Sequence, residues 1–595
     1  MFAAVLNGEG PLQVEALRAA SPGCRIELVD TQGRVALLVS AEPGPGGEWR
    51  SIERLDGRLW IVGRIRLDGR RALAVRLEVD VAAVSDGRLC LEAYARWGEG
   101  FLDRLAGDFC FVVWDEARGM LLGARDQMGI RGLFYAETSP HTFVSDSLDW
   151  ISRRPGFDRS LDDQWIGDFL CLGSSLDFDR TVWRGVHRLA PAHRLALTPT
   201  GRTLRRYWTL DVPEPLFLRS GVLYAERFRE LVGQAITDRL PREGKVGVSM
   251  SGGLDSTTLA ALAVERTGAA ARVVADCVYH EWRMPDEEGR FSALAARHLG
   301  IALNLRPIDD LSFDADWRCR DIALPEPSTI AISAHGDRAM AREMAAVSPV
   351  WLYGEGPDNA FEFERGPYLS WLRRHGQWRR LAEALLLYAG AKSFRSWAGT
   401  VARYAVPSMP SDAPVLPVWL DPDFARAFDL DERLRAGQEF LDPSHPWHPV
   451  AMGAFKNPIW QKLFADRDQD EMTAPMVWRH PYFDLRVLQF MLSVPPVPWA
   501  REKRLMRIAM RDRLPRGILT RKKTPVARSL LVGPMQEKGL GTLAAGPHLD
   551  PYVDRRRIPA TTDTDRVLRP LIAVHALDHW IMYNRRVSAE EAGSA

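Results

Sequence analysis

Lys245-Val246-Gly247-Val248-Ser249-Met250-Ser251-Gly252-Gly253-Leu254-Asp255-Ser256-Thr257 is the stretch that decides the fold of this chain. Its first six residues form an apolar run of strand length. Over 257–266, Leu259, Leu262 and Ala263 fall on one helical face. Between strand and helix, two glycines let the backbone turn with no side chain in the way. Amide N–H groups then point outward at the start of a helix, where the dipole favours an anion. Ser251, Ser256 and Thr257 add hydroxyl donors, so the loop is a cradle for a pyrophosphate group. A carboxylate at Asp255 opposes that reading unless it holds Mg2+, which bridges to phosphate oxygens. The chain lacks Gly-x4-Gly-Lys-Ser/Thr, because Val246 follows Gly244-Lys245, and transfer of a γ-phosphate is not favoured.

Outward from this loop, 272–278 reads as a strand, 287–299 as a helix with Gly300 at its C-terminal cap, and 301–305 as a further strand. The β-α-β-α-β series predicts a parallel sheet with helices on its faces. A strand at 350–352 leads into Tyr353-Gly354-Glu355-Gly356-Pro357-Asp358-Asn359. From about 365 onward the chain reads as mainly helical and Arg-rich. Residues 1–210 differ in texture. Apolar runs at 59–63, 109–114 and 120–124 alternate with turn signals, the last two as a hairpin, and 87–97 reads as a helix. Asp211-Val212-Pro213-Glu214-Pro215 carries two prolines in five residues and reads as a linker. The expected organisation is a first domain over 1–210, a linker over 211–220 and a second domain over 221–595.

Ser251-Gly252-Gly253-Leu254-Asp255-Ser256 resembles the PP-loop of the ATP pyrophosphatase superfamily, and Tyr353 to Asn359 resembles the second signature of asparagine synthetases. The resemblance extends to Arg479-His480-Pro481-Tyr482-Phe483-Asp484 and to 502–523. It implies an α/β architecture: an N-terminal Ntn-hydrolase-like αββα sandwich, then an adenine nucleotide α-hydrolase-like parallel-sheet domain with a helical C-terminal part. It implies ATP as cofactor, cleaved between the α and β phosphates. Ser249, Ser251, Gly252, Gly253, Asp255, Ser256, Tyr353 and Gly354 would bind the nucleotide, and Asp255 and Asp358 would hold Mg2+. Residues 501–528 hold eleven Lys or Arg against two acids. In the family two lysines twenty positions apart reach the phosphates, and Lys503 and Lys523 match them. Fixed cations there stabilise charge on the leaving group and on the oxyanion of aminolysis. Lys522 competes with Lys523 for that role. Glu355 is a candidate acceptor for the amine's proton, the competing reading being a glutamate that only orders the loop.

Residues 101–135 carry the front half's resemblance to the glutamine-hydrolysing domain of the same family. The departures matter more than the match. The family's nucleophilic cysteine after the initiator methionine is here Phe2, which can neither attack an amide nor form a thioester. The glutamine-binding Asn-Gly-Glu-Ile appears as Val62-Gly63-Arg64-Ile65. An amide former without a glutaminase takes its amine from the substrate, as the β-lactam synthetases and the lasso peptide cyclases do. The Gly-Glu-Gly-Pro-Asp-Asn form, the chain length and 20 tryptophans able to line a peptide cavity resemble the lasso cyclases. That resemblance implies a ribosomal precursor peptide as substrate, with a leader-recognition protein and a leader peptidase as partners. Ammonia-dependent asparagine synthesis and small-molecule lactam formation are the alternatives.

The bulk numbers agree with a soluble enzyme. At 595 residues the chain needs more than one core. A net charge of +1 supplies no global field for nucleic acid or membrane. The six cysteines form no CxxC pair and read as buried free thiols in a reducing cytosol. No signal peptide or spanning segment is apparent, so a cytoplasmic location is expected.

Overall fold

The computed structural model describes residues 1–40, 48–154, 156–198, 201–282, 286–309, 313–320, 322–389, 415–438, 441–522, 531–562 and 565–593. The front half stacks two antiparallel six-stranded sheets. Period-two alternation builds them, since successive side chains point to opposite faces. In Phe2–Asn7, Phe2 and Ala4 face the neighbouring sheet, whereas Ala3 and Val5 face the helix Asp163–Leu172 and its surroundings. In Gly107–Asp115, Cys110, Val112 and Trp114 face the first sheet. Phe109, Phe111 and Val113 of that strand meet the helices Arg70–Leu77 and Asp86–Trp97. The layers therefore run α-β-β-α. The strand beginning at Leu59 continues past the expected 63 to Leu67, and Gly63 is the reason the sequence window closed early. Its backbone lies so close to the adjoining strand that a Cβ would sit 2.4 Å from the Phe111 Cβ.

The second half contains a five-stranded parallel sheet in the order Ala302–Pro307, Val273–Tyr279, Val246–Ser249, Val350–Leu352, Val477–Arg479. The chain departs from the central strand Val246–Ser249 in one direction for two strands and then returns to its other side. This makes a topological switch point between Val246–Ser249 and Val350–Leu352, where open α/β sheets place their ligands. The helices Gly221–Thr237 and Leu254–Thr267 cover one face, and Ala334–Val347 covers the other. A helix Asp565–Gly593 packs against Asp163–Leu172 of the front half, with Trp580 against Trp183 at 5.1 Å. Among the described residues no helix is long and apolar enough to cross a membrane. Four of the six cysteines are buried as expected, but Cys24 is half-buried and Cys319 is exposed.

The halves meet through buried ion pairs. Arg479, at the end of its strand, lies 3.6 Å from Glu48 and 3.5 Å from Asp108 of the front half. Burial works against the Glu48 carboxylate, but Arg131, Arg64, Arg50 and Arg479 outweigh it and hold its pKa well below the usual range. Asp108 is lowered in the same way, burial being overcome by Arg66, Arg239 and Arg479. A carboxyl whose folded pKa lies below its unfolded value of about 4 stabilises the fold fully above that unfolded value. The contribution is lost as pH falls towards the folded value. The urea midpoint should therefore drop below about pH 4. Glu48→Gln should cost about 3–5 kcal/mol at pH 7, because it leaves arginines buried without their partner, and should flatten that acid limb. A midpoint independent of pH down to 3 would contradict the assignment.

Candidate nucleotide site

Three segments converge at the C-terminal ends of the central strands. Met250 N donates to Asp276 O at 2.9 Å, extending the parallel ladder into the loop. The loop then closes on itself, with Ser251 N donating to Ser256 Oγ at 3.1 Å and Gly253 N to Ser251 Oγ at 3.4 Å. Gly252 has φ +64°, and a Cβ there would lie 2.6 Å from both Phe291 Cβ and Ser292 N. The turn thus requires glycine twice over, for conformation and for space. No side chain caps the helix Leu254–Thr267 at Gly253, so its first amides remain available to an anion. Gly354 seats the second loop against the first, since a Cβ there would stand 3.3 Å from Ser256 N and Cα. Tyr482, from the third segment, donates its hydroxyl to Asp255 O at 3.0 Å.

Lys503 completes the site. Its ammonium bonds to Asp255 Oδ2 and lies 2.6 Å from Asp358 Oδ1. The side chain is aimed by two consecutive left-handed residues, Glu502 at φ +50° and Lys503 at φ +53°. Such conformations cost about 1–3 kcal/mol each and persist where surrounding structure over-determines them. Arg507 supplies that restraint. Its Nε donates to Glu502 O at 2.6 Å, Nη2 donates to Arg521 O at 3.0 Å, and Nη1 donates to Leu519 O. Arg521 in turn donates to Ser251 O at 3.1 Å, its guanidinium 4.5 Å above the Phe291 ring and facing Glu288. Burial pushes the Asp255 carboxyl up to about 6, with Lys503 pulling it down and Asp358 and Glu355 pushing it further up. Asp255 Oδ1 is buried with no hydrogen-bond partner. An orphaned carboxylate oxygen beside a second carboxylate fits a hard divalent cation. Asp68, Asp238 and Asp484 also converge, but arginines neutralise them: Arg66 on Asp68 at 2.7 Å, Arg239 on Asp484 at 3.0 Å and Arg486 on Asp238 at 2.6 Å.

The structure brings together Ser251, Gly252, Gly253, Asp255, Ser256, Gly354, Asp358 and Lys503, with Glu355 near enough to act on Asp255. Ser249 ends the central strand in register with Asp276. The Tyr353 ring lies under Arg467, whose Nη2 donates to its hydroxyl at 3.2 Å. Lys522 is exposed. Lys523 lies outside the described residues. Sequence reasoning missed Arg507 and Arg521. Their signal was present: Arg507 stands one helical turn after Lys503, and Arg521 precedes the lysine pair. In an Arg-rich stretch neither stands out.

Residues 227–580 match the family described as Asparagine synthase, and residues 67–208 match a glutamine amidotransferase domain. The chain belongs to the asparagine synthase family, whose members form amides at the expense of ATP. It is 24% identical to asparagine synthetase (glutamine-hydrolyzing) 3 of Bacillus subtilis, over 75% of this chain and 71% of that one. It is 26% identical to Amidase chyE of Penicillium rubens, over 48% of this chain and 44% of that one. Identity to Amidase chry2 of Gibberella zeae is also 26%, over 47% and 43% respectively. The chain thus spans less than half the length of the two fungal amidases.

Gly252→Ala should weaken Mg·ATP binding by at least about tenfold, since a side chain costs about 1–2 kcal/mol in the left-handed region before any clash. Isothermal titration calorimetry measures this. Binding within twofold of the parent would show that the loop does not cradle the nucleotide.

Proposed function

We propose that this chain closes a macrolactam in a ribosomal lasso precursor peptide. An Asp or Glu side chain of the peptide attacks the α phosphorus of ATP, and pyrophosphate leaves. The N-terminal amine of the core peptide then attacks the acyl-adenylate, forming the isopeptide bond and releasing AMP and one proton. Asp255 and Asp358 would hold Mg2+, which would offset the negative charge of the phosphates. Lys503 supplies fixed positive charge beside them, and Lys523 or Lys522 would supply more. Glu355 is placed on the loop that borders the reacting groups. The precursor would be delivered by a leader-recognition protein and trimmed by a leader peptidase.

The observation that carries this reading is the fate of the front domain. Phe2 and Val62 both pack into the apolar core between the two sheets, and Phe2 is 1% exposed. Arg64 is buried and paired with Glu48 at 3.2 Å. Hydrocarbon at the positions where the family's glutaminase has its nucleophile and amide ligand supports an amine that comes from the substrate. A cavity of about 430 Å3 supports a bulky substrate. It lies between Ala334–Val347 and Ile459–Thr473, lined by Met340, Met344, Leu463 and Trp478 and also by Asp337, Lys462, Asp466 and Arg569, with Arg467 leading towards Tyr353. Pockets of this size hold the apolar part of a ligand. Remote binding of that kind supplies orientation, which effective molarity converts into rate. A second reading, amidation with free ammonium, draws on the likeness to an asparagine synthetase.

Precursor peptide plus ATP should yield AMP, pyrophosphate and a product lighter by one water by mass spectrometry. Asp255→Ala should reduce the rate by about a hundredfold or more. The rate should rise with pH and level off near pH 8, because an α-amine has a pKa of about 7.7–8.0 and reacts only when neutral. Release of ADP or orthophosphate would overturn the chemistry, and asparagine from aspartate plus ammonium would favour the second reading. Met340→Trp should raise KM for the peptide and leave KM for ATP unchanged. Phe2→Cys should release no glutamate from glutamine.

A further inference from the structure

Arg64 stands where the family's glutaminase pattern has a glutamate, and the structure shows where its charge goes. Besides Glu48, its guanidinium lies 3.9 Å from Asp146 and 3.5 Å from Asp468. Asp468 belongs to the helix Ile459–Thr473 of the second half, and Arg131 of the front half grips the same carboxylate at 2.5 Å. Seven residues earlier on that helix, Gln461 accepts from Arg125 Nη1 at 3.1 Å. Positions seven apart share a helical face, so one face of this helix is held by front-domain arginines at two points. The residue next to Asp468 turns to the nucleotide site. Arg467 stands 4.7 Å over the Tyr353 ring and 4.9 Å over Trp478, and donates to the Tyr353 hydroxyl. Tyr353 N donates to Arg479 O at 2.9 Å, which ties the same loop to the strand whose arginine contacts Glu48.

We propose that the front domain serves as a positioning device for the nucleotide site, and that Arg64, the residue incompatible with glutamine binding, is its key contact. Arg64 and Arg131 fix Asp468, Asp468 fixes the rotation of its helix, and Arg467 on that helix fixes Tyr353 and the loop that carries Gly354 and Asp358. A side chain at odds with the family's glutamine-binding pattern would thereby supply an interdomain clasp to the nucleotide site. Arg64 is a positioning residue, since it touches no reacting atom. The inference rests on nucleotide binding at this loop and is independent of which carboxylate or amine is joined.

The test uses the full chain and the fluorescent analogue TNP-ATP with Mg2+. Arg64→Met and Asp468→Asn should each weaken analogue binding by about 5- to 50-fold. Arg64→Lys, which keeps the charge, should recover most of the affinity. Arg467→Ala should cause a similar loss, and Arg64→Met combined with Arg467→Ala should lose little more than either alone, because both break one chain of contacts. A purely structural role predicts a lower Tm with analogue affinity unchanged in the folded protein. That outcome would overturn the proposal, as would additive losses in the double variant. Asp468 is less buried than Arg64, so Asp468→Asn decides the matter if Arg64→Met fails to fold. Failure of Gly252→Ala to weaken ATP binding would instead indict the nucleotide site itself.

Discussion

One ammonium holds the site together. Lys503 reaches two carboxylates that start the helices following two different strands, and no other described cation lies on both. Burial drives the Asp255 pKa upward even with Lys503 in place, and the neighbouring Asp358 and Glu355 add to the rise. The distances in sequence are large: Asp255 and Lys503 are 248 residues apart. The turn that aims Lys503 is strained, and the strain is sustained by Arg507, which grasps the Glu502 carbonyl within the bend and the Arg521 carbonyl of a later segment. Loop, strand ends and basic segment are thus parts of one electrostatic assembly, with each part geometrically defined by the others.

The front half is a two-sheet sandwich whose residues 67–208 match a glutamine amidotransferase domain, and the space between its sheets is packed with apolar side chains, Phe2 and Val62 among them. A fold of this kind does not fix an activity, because activity resides in a few side chains on a scaffold that can be stable without them. The buried arginines at the interface are expensive to desolvate unless each is paired. Glu48, Asp108 and Asp468 pair these arginines across the two halves, although burial still lowers the Arg479 pKa to about 10.

Much of the second domain was legible in the sequence because its signals are local. The glycine pair, the strand at 246–249 and the capping Gly300 follow from short-range sterics and periodicity. The hairpin of Gly107–Asp115 with Met120–Arg125 was legible for the same reason. The resemblance to a family added Asp358 and Lys503, which no spacing rule would have joined to Asp255. What stayed hidden was long-range. Arg507 and Arg521 look like members of a solvated basic stretch until their carbonyl partners are seen. Arg64 stood out in the sequence as a departure from the family's pattern, but its partner Asp468 lies 404 residues away. Charge pairing at that separation leaves no trace in a local window.

The helix Asp565–Gly593 has a consequence for biogenesis. It shares a hydrophobic core with the layer outside the first sheet, including Trp165, Phe169 and Trp183 of the front half. A ribosome adding about 5–20 residues per second reaches this helix tens of seconds after the front sheets are complete. Until then the aromatic flank of Asp163–Leu172 has no cover from it, and the nascent chain carries a sticky surface through most of its synthesis. Splitting the protein between its halves would make that interval permanent, so the two halves should be handled as a single unit in any attempt to reassemble or transplant the enzyme.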